Sequence, residues 1–413
     1  MTAATAAAAL VLVAVVTAEP SSAATTRYVS AGASWASALS ASSPGDTIVL
    51  RTGTHPYQLI MDRYFGGVTI RGESRTGTVI NGLYLKNTQG LTFTNLTVSP
   101  TGSYGYSAIR VTDNSNAITF DTVRAIPKNT PTGRSGFDIF SNSGSSRPPH
   151  DIKVINSVYN GSQTTGTSAR GVRLWAGNSV ASTWPYNILI DNNDLAYAPA
   201  DIIQIGGARN VTISRNRIHD VQENSDHNDG IQSYGSNQLI ITRNRFWAPG
   251  VQGGPDQAIM LANAPSTSPL LKVTNTTVEN NLIVKWRGNG ITISGTNVTW
   301  IMNNTAVANG GASLGVGTSY GPNYTTRVFN NIMDRIYPST GAGLWYENYN
   351  LVKSGGVGPS DDKSDPKFVD TTNYALQSTS PAVDSAQLNG APSVDYAGVI
   401  RAPDPDKGAR ELP

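Results

Sequence analysis

The stretch "SDHNDGIQSYG" at residues 225–235 places Asp226, His227 and Asp229 almost side by side and then runs into an alternating, strand-like segment. Carboxylates and an imidazole this close can move protons, orient arginines or hold a divalent cation. They can equally cap a bend, because Asp side chains readily accept backbone N–H groups. The chain has only four histidines, so one of them inside an acidic cluster draws attention. A comparable stretch, "ADIIQIGG", sets Asp201 three residues before Gln204, as Asp229 stands three residues before Gln232.

The elements that must position these residues show up as a repeat. "NILIDNNDL", "NVTISRNRI", "QLIITRNRF", "NTTVENNLI", "NVTWIMNNTAV" and "TTRVFNNIM" share one frame, with an Asn at 193, 216, 244, 281, 304 and 331. The intervals of 23, 28, 37, 23 and 27 residues fit a short coil that is sometimes lengthened by an inserted loop. Each unit has a second strand upstream, such as "GVRLW", "DIIQI", "DGIQS", "QAIML" and "NGITI". Strands repeated at this period suit parallel stacking, each pairing with its equivalent one coil away at roughly 4.8 Å. The repeated Asn is then expected to form an internal ladder of amides.

Aligning the upstream strands gives an outward stripe of Arg110, Asp138, Arg173, Gln204, Gln232, Met260 and Thr292. Just before them runs a second column of Ser107, Ser135, Arg170, Asp201, Asp229, Gln257 and Asn289. Asp201 and Asp229 therefore fall on adjacent coils. Two carboxylates so close repel unless they share a proton, a cation or hydrogen-bond donors. Arg170 and Arg173 are the nearest expected cations.

With this repeat and ladder, the chain resembles the right-handed parallel β-helix proteins of the pectate-lyase-like superfamily over about residues 45–350. The resemblance implies an all-β, single-domain solenoid with a capping helix in 25–45 and a closing segment over 351–413. "GASWASALSASSPGDTIVL" resembles the entry segment of such proteins, and "FVDTTNYALQSTSPAVDSA" their closing segment.

Composition narrows the remaining choices. The 30 Lys+Arg against 28 Asp+Glu give a net charge of +2 with no basic run, which does not favour nucleic acid or an anionic membrane as partner. The absence of cysteine excludes disulfide and thiolate chemistry. "AAAALVLVAVV" followed by small residues reads as an export signal over 1–24, too short to span a bilayer stably. The expectation is a secreted, extracellular monomer acting on a polysaccharide.

The leading functional expectation is a polysaccharide lyase acting on an acidic polymer by β-elimination. His227 is the expected base, Asp201 and Asp229 organise Arg170 and Arg173 or, with Asp226, hold Ca2+, and Arg173 is a further catalytic candidate. Gln204, Gln232, Asp138, Trp175, Tyr234 and Lys285 are the other expected substrate contacts, since aromatic faces beside planar polar groups suit sugar rings. A glycoside hydrolase would use Asp201 and Asp229 as acid and base, but the "NTD", "GHG" and "RIK" motifs of polygalacturonases are missing. "SDHND" resembles the Asp-Pro-His-Asp/Glu motif of mannuronan epimerases without its Pro. A carbohydrate-binding β-helix without catalysis would not require the clustered Asp, His and Arg.

Overall fold

The computed structural model describes residues 23–101, 107–128, 135–142, 146–162, 169–176, 180–222, 227–249, 256–263, 271–356 and 358–412. Asp226 and residues 1–22 of the expected export signal lie outside them. Among the described residues, 29 strands join in one sheet whose long-range pairings are parallel. The sheet is wound so that each strand meets its counterpart on the next coil.

The alternation of the upstream strands explains this winding. Their inward positions place Val172, Ile203, Ile231, Ile259, Ile291 and Leu314 in register, all fully buried. Branched side chains fit a pleated stack well, and burying each contributes about 1.5 to 3 kcal/mol. A one-residue slip would turn this column outward. The outward stripe follows from the same register: Arg110 pairs with Asp138, Asp138 with Arg173, then Gln204, Gln232, Met260 and Thr292 in turn.

The Asn ladder forms as the repeat requires. Asn193, Asn216, Asn244, Asn281, Asn304 and Asn331 each donate an amide N–H to the Oδ1 of the ladder residue on the next coil, at 2.9–3.1 Å. That oxygen also accepts a backbone N–H from the preceding coil. The ladder runs on to Asn350, whose backbone N–H is capped by Asp361 at 2.8 Å.

The residue before each ladder Asn has left-handed backbone: Asn192, Arg215, Arg243, Asn280, Asn303 and Asn330, with φ of 51–59°. Asn tolerates this region better than most residues. It has a second task here, because Asn280, Asn303 and Asn330 donate side-chain amides to the carbonyls of Val394, Asp406 and Gln387. The turn column thus holds the C-terminal segment against the coils. A buried Arg401–Glu411 pair, with Arg401 also donating to Asn280, fixes the same segment.

At the other end a short helix, Ala36–Ser40, turns Trp35 and Leu39 into the core. Strand pairing begins before it, with Thr26–Val29 against Thr47–Leu50, earlier than residue 45. The last paired strand is Leu351–Ser354.

Candidate active site

Asp201 and Asp229 divide their two oxygens between different tasks. Asp201 Oδ1 accepts the backbone N–H of Asp229 at 3.2 Å, and Asp229 Oδ1 accepts that of Gln257 at 2.6 Å. Asn289 does the same for Ala312 at 2.8 Å. One oxygen of each residue therefore ties its coil to the next. The other serves the outward stripe: Asp201 Oδ2 accepts the Gln204 amide at 2.8 Å, and Asp229 Oδ2 the Gln232 amide at 3.0 Å. Gln204 in turn donates to Gln232 Oε1 at 3.2 Å. The Asp-x-x-Gln spacing suits this, because a bend at Ile202 and at Gly230 separates each Asp from the strand that carries its Gln.

His227 stands at the outer end of this network. Its Nδ1 is 3.2 Å from Asp229 Oδ2, and its side chain is 37% exposed while that of Asp229 is 0% exposed. The Nε2 atom has no partner among the described residues. His227 lines a cleft of about 350 Å³ together with Arg170, Asp201, Gln204, Gln232, Tyr234, Met260 and Tyr320. Arg170 Nε lies 4.0 Å from Asp201 Oδ2.

The charges are strongly coupled. The hydrogen bond that His227 donates to Asp229, against some burial, raises His227 to about 9. Burial and then the neighbouring Asp229 push Asp201 up to about 7, with Arg170 opposing. Burial raises Asp229 as well, and His227 opposes it. Burial, then Asp201 and Asp229, raise the Tyr234 phenol, keeping it protonated.

Two aromatic residues reach the cleft by different routes. A register shift pairs Ser233 with Ile205 but Gly235 with Gly206, so Tyr234 is the extra residue of a bulge. Bulges re-aim side chains in this way. Tyr320 comes from a turn three coils on from Tyr234, where its backbone N–H donates to Ser294 Oγ at 3.0 Å and its carbonyl packs on Gly295, whose φ is 73°. A Cβ at Gly295 would stand 2.3 Å from that oxygen.

Residues 139–332 match the family model of the right handed beta helix region. The chain is a right-handed parallel β-helix protein. Its fold is similar to an alginate lyase from Paenibacillus sp. str. FPU-7, at 16% identity over 73% of this chain and 97% of that one, TM-score 0.51. It is also similar to pectate lyase Pel9A, at 16% identity over 94% and 96%, TM-score 0.51. A mannuronic acid specific polysaccharide family 6 lyase from human gut microbiota shares 15% identity over 79% and 86%, TM-score 0.53. At these identities the likeness is one of fold. No curated protein matches the chain in sequence.

Several expected contacts lie elsewhere on the β-helix. Arg173 is locked to Asp138 by a two-pronged pair, Nε to Oδ1 at 2.8 Å and Nη2 to Oδ2 at 3.0 Å, and Asp138 is fully buried with Ser107 as a further donor. Neither residue lines the cleft, because the guanidinium neutralises a carboxylate that would otherwise be buried alone. Trp175 packs on the backbone of Gly206, where a Cβ would stand 2.2 Å from its ring. Lys285 is an exposed turn residue with φ of 53° after strand Leu282–Val284 and is no part of the cleft. Arg287 from the same segment is buried against Asp256, whose Oδ1 accepts the Asn228 N–H at 2.8 Å. Arg287 thus supports the bend that carries His227.

Asp201, His227 and Asp229 bring one ligand atom each within 4.8 Å of one another. Ca2+ takes six to eight oxygens. Here two carboxylate oxygens hold backbone N–H groups, the other two hold glutamine amides, and Arg170 stands beside the set. The described residues do not fit Ca2+.

The sequence pointed to His227, Asp201, Asp229, Arg170, Gln204, Gln232 and Tyr234, which do converge. It gave no sign of Tyr320, since no repeat position carries it.

Proposed function

We propose that this protein is a secreted polysaccharide lyase that cleaves an acidic polymer by β-elimination, with His227 as the base. The observation that carries this reading is the pairing of a cleft-facing imidazole with a fully buried carboxylate, which holds Nδ1 and leaves Nε2 open. An acid–base histidine held through its other nitrogen is well suited to proton transfer.

In this mechanism neutral His227 takes the proton on the carbon next to the uronate carboxylate. The electron pair of that C–H bond forms the new C=C bond as the C–O bond to the leaving sugar breaks. The Tyr234 phenol, kept protonated by its surroundings, gives its proton to the leaving oxygen. Imidazolium and phenolate then regain their starting states by proton exchange. Arg170 faces the carboxylate of the bound sugar and favours the charge that builds there. Arg110, which makes no ion pair among the described residues and lies over the rings of Tyr84 and Phe140, extends positive charge along the same stripe.

Hydrolysis fits less well. It needs two carboxyls on opposite sides of the glycosidic bond, whereas Asp201 and Asp229 are both buried and share one wall.

The test is a screen of pectate, alginate and glucuronan against neutral polymers, following the ultraviolet absorbance of an unsaturated product. New reducing ends without that absorbance would replace this reading by hydrolysis, and a change of sugar configuration without cleavage by epimerisation.

A further inference from the structure

A second polar-aromatic pocket lies on a different strand line of the coils. Trp300, Arg327 and Tyr346 occupy equivalent outward positions on three successive coils. Together with Phe329, Gln387 and Asn389 they line a cavity of about 200 Å³. Trp300 meets Phe329 edge-on at 6.3 Å between ring centres. The Arg327 guanidinium lies 4.9 Å from the Trp300 ring centre and forms no ion pair among the described residues. Its charge is steadied by a ring and, among the described residues, neutralised by no carboxylate.

The polar wall is fixed in advance. The Tyr346 hydroxyl, 3.3 Å from Gln387 Oε1, also accepts from Asn348. Gln387 is pinned by the fully buried Asn330, which accepts its backbone N–H and donates to its carbonyl, both at 2.8 Å. At Gly390, with φ of 95°, a Cβ would stand 3.1 Å from the Phe329 ring and 3.6 Å from that of Trp300, so glycine lets the closing segment pass close to both. Tyr346 remains 43% exposed, so the pocket opens to solvent.

We propose that this pocket is a second carbohydrate site, separate from the cleft, that holds a uronate ring. Aromatic faces take the apolar side of a sugar, amide and phenol groups take its hydroxyls, and an unpaired guanidinium takes its carboxylate. A neutral sugar would leave Arg327 without its partner. The proposal rests on these residues and not on the chemistry of His227.

The full chain carrying His227→Ala, chosen to slow any turnover during the titration, is titrated with trigalacturonate, trimannuronate and triglucuronate, with maltotriose as the neutral probe. Binding is read from the indole N–H signals in NMR spectra and by calorimetry. At least one uronate trisaccharide is expected to bind and to lose tenfold or more in affinity with Arg327→Gln, and likewise with Tyr346→Ala. Both positions are exposed, and an unchanged melting temperature verifies the fold. Maltotriose is expected to show no dependence on Arg327. Uronate binding that responds to Arg170→Gln but not to Arg327→Gln would place all recognition in the cleft and overturn the proposal. So would the absence of any Arg327-dependent binding. Either result leaves the lyase reading standing on its own test.

Discussion

Asp229 stands directly behind His227: its Oδ2 is 3.2 Å from the imidazole Nδ1, and its Oδ1 accepts the Gln257 N–H at 2.6 Å. One buried carboxylate therefore anchors a coil and sets the protonation of a cleft residue. The opening cluster is both a structural turn and a candidate catalytic centre.

The pH dependence of turnover follows from this contact. His227 is raised to about 9, so its imidazole is charged at neutral pH and cannot accept a proton. Activity on the polymer should increase as pH rises through about 9. His227→Ala should lower turnover by about 10² to 10⁴ and also reduce stability, because it leaves the buried Asp229 without its cationic partner. A rate that instead falls as pH passes 9 would make His227 an acid, and the base would be another group.

Asp229→Asn separates the two tasks of that carboxylate. The amide oxygen can still accept the Gln257 N–H, but the charge that raises His227 is gone. The rising limb should move to lower pH, towards the ordinary histidine value, and turnover should drop. A limb that stays near 9 in the variant would show that Asp229 does not govern His227.

Arg173 and Asp138 are a structural pair. Arg173→Met leaves a buried carboxylate without its cation, which should cost about 3 to 5 kcal/mol in denaturant unfolding. Activity per folded molecule should be unchanged. A stable but inactive variant would return Arg173 to the catalytic set.

The ladder can be tested at its centre. Asn216 and Asn244 each satisfy a backbone N–H, a carbonyl and neighbouring amides inside the core. Replacing either by Ala should destabilise by about 1 to 3 kcal/mol. Unchanged melting temperatures in both would contradict the ladder.

The poor fit of Ca2+ to the Asp201 and Asp229 oxygens gives a simple check. Chelator treatment should leave turnover unchanged. Loss of activity that added Ca2+ restores would show that the site rearranges to hold the ion.

The sequence by itself determined the coil, the ladder, the outward stripe and the column beside it. In a parallel solenoid the register depends on local alternation and on a repeat of one coil, and both are visible in a line of letters. Asn193 through Asn331 and the succession Arg173, Gln204, Gln232 are in place for that reason. Only the tertiary structure decided which polar groups remain open to a substrate. Arg173 and Arg170 look alike in the sequence, yet a carboxylate one coil away closes off the first and the cleft exposes the second. Tyr320 enters the site from a turn three coils on, a distance that no period encodes. Burial separated the roles of Asp201, Asp229 and His227, because the same side chains titrate differently once water is removed from one and left beside another.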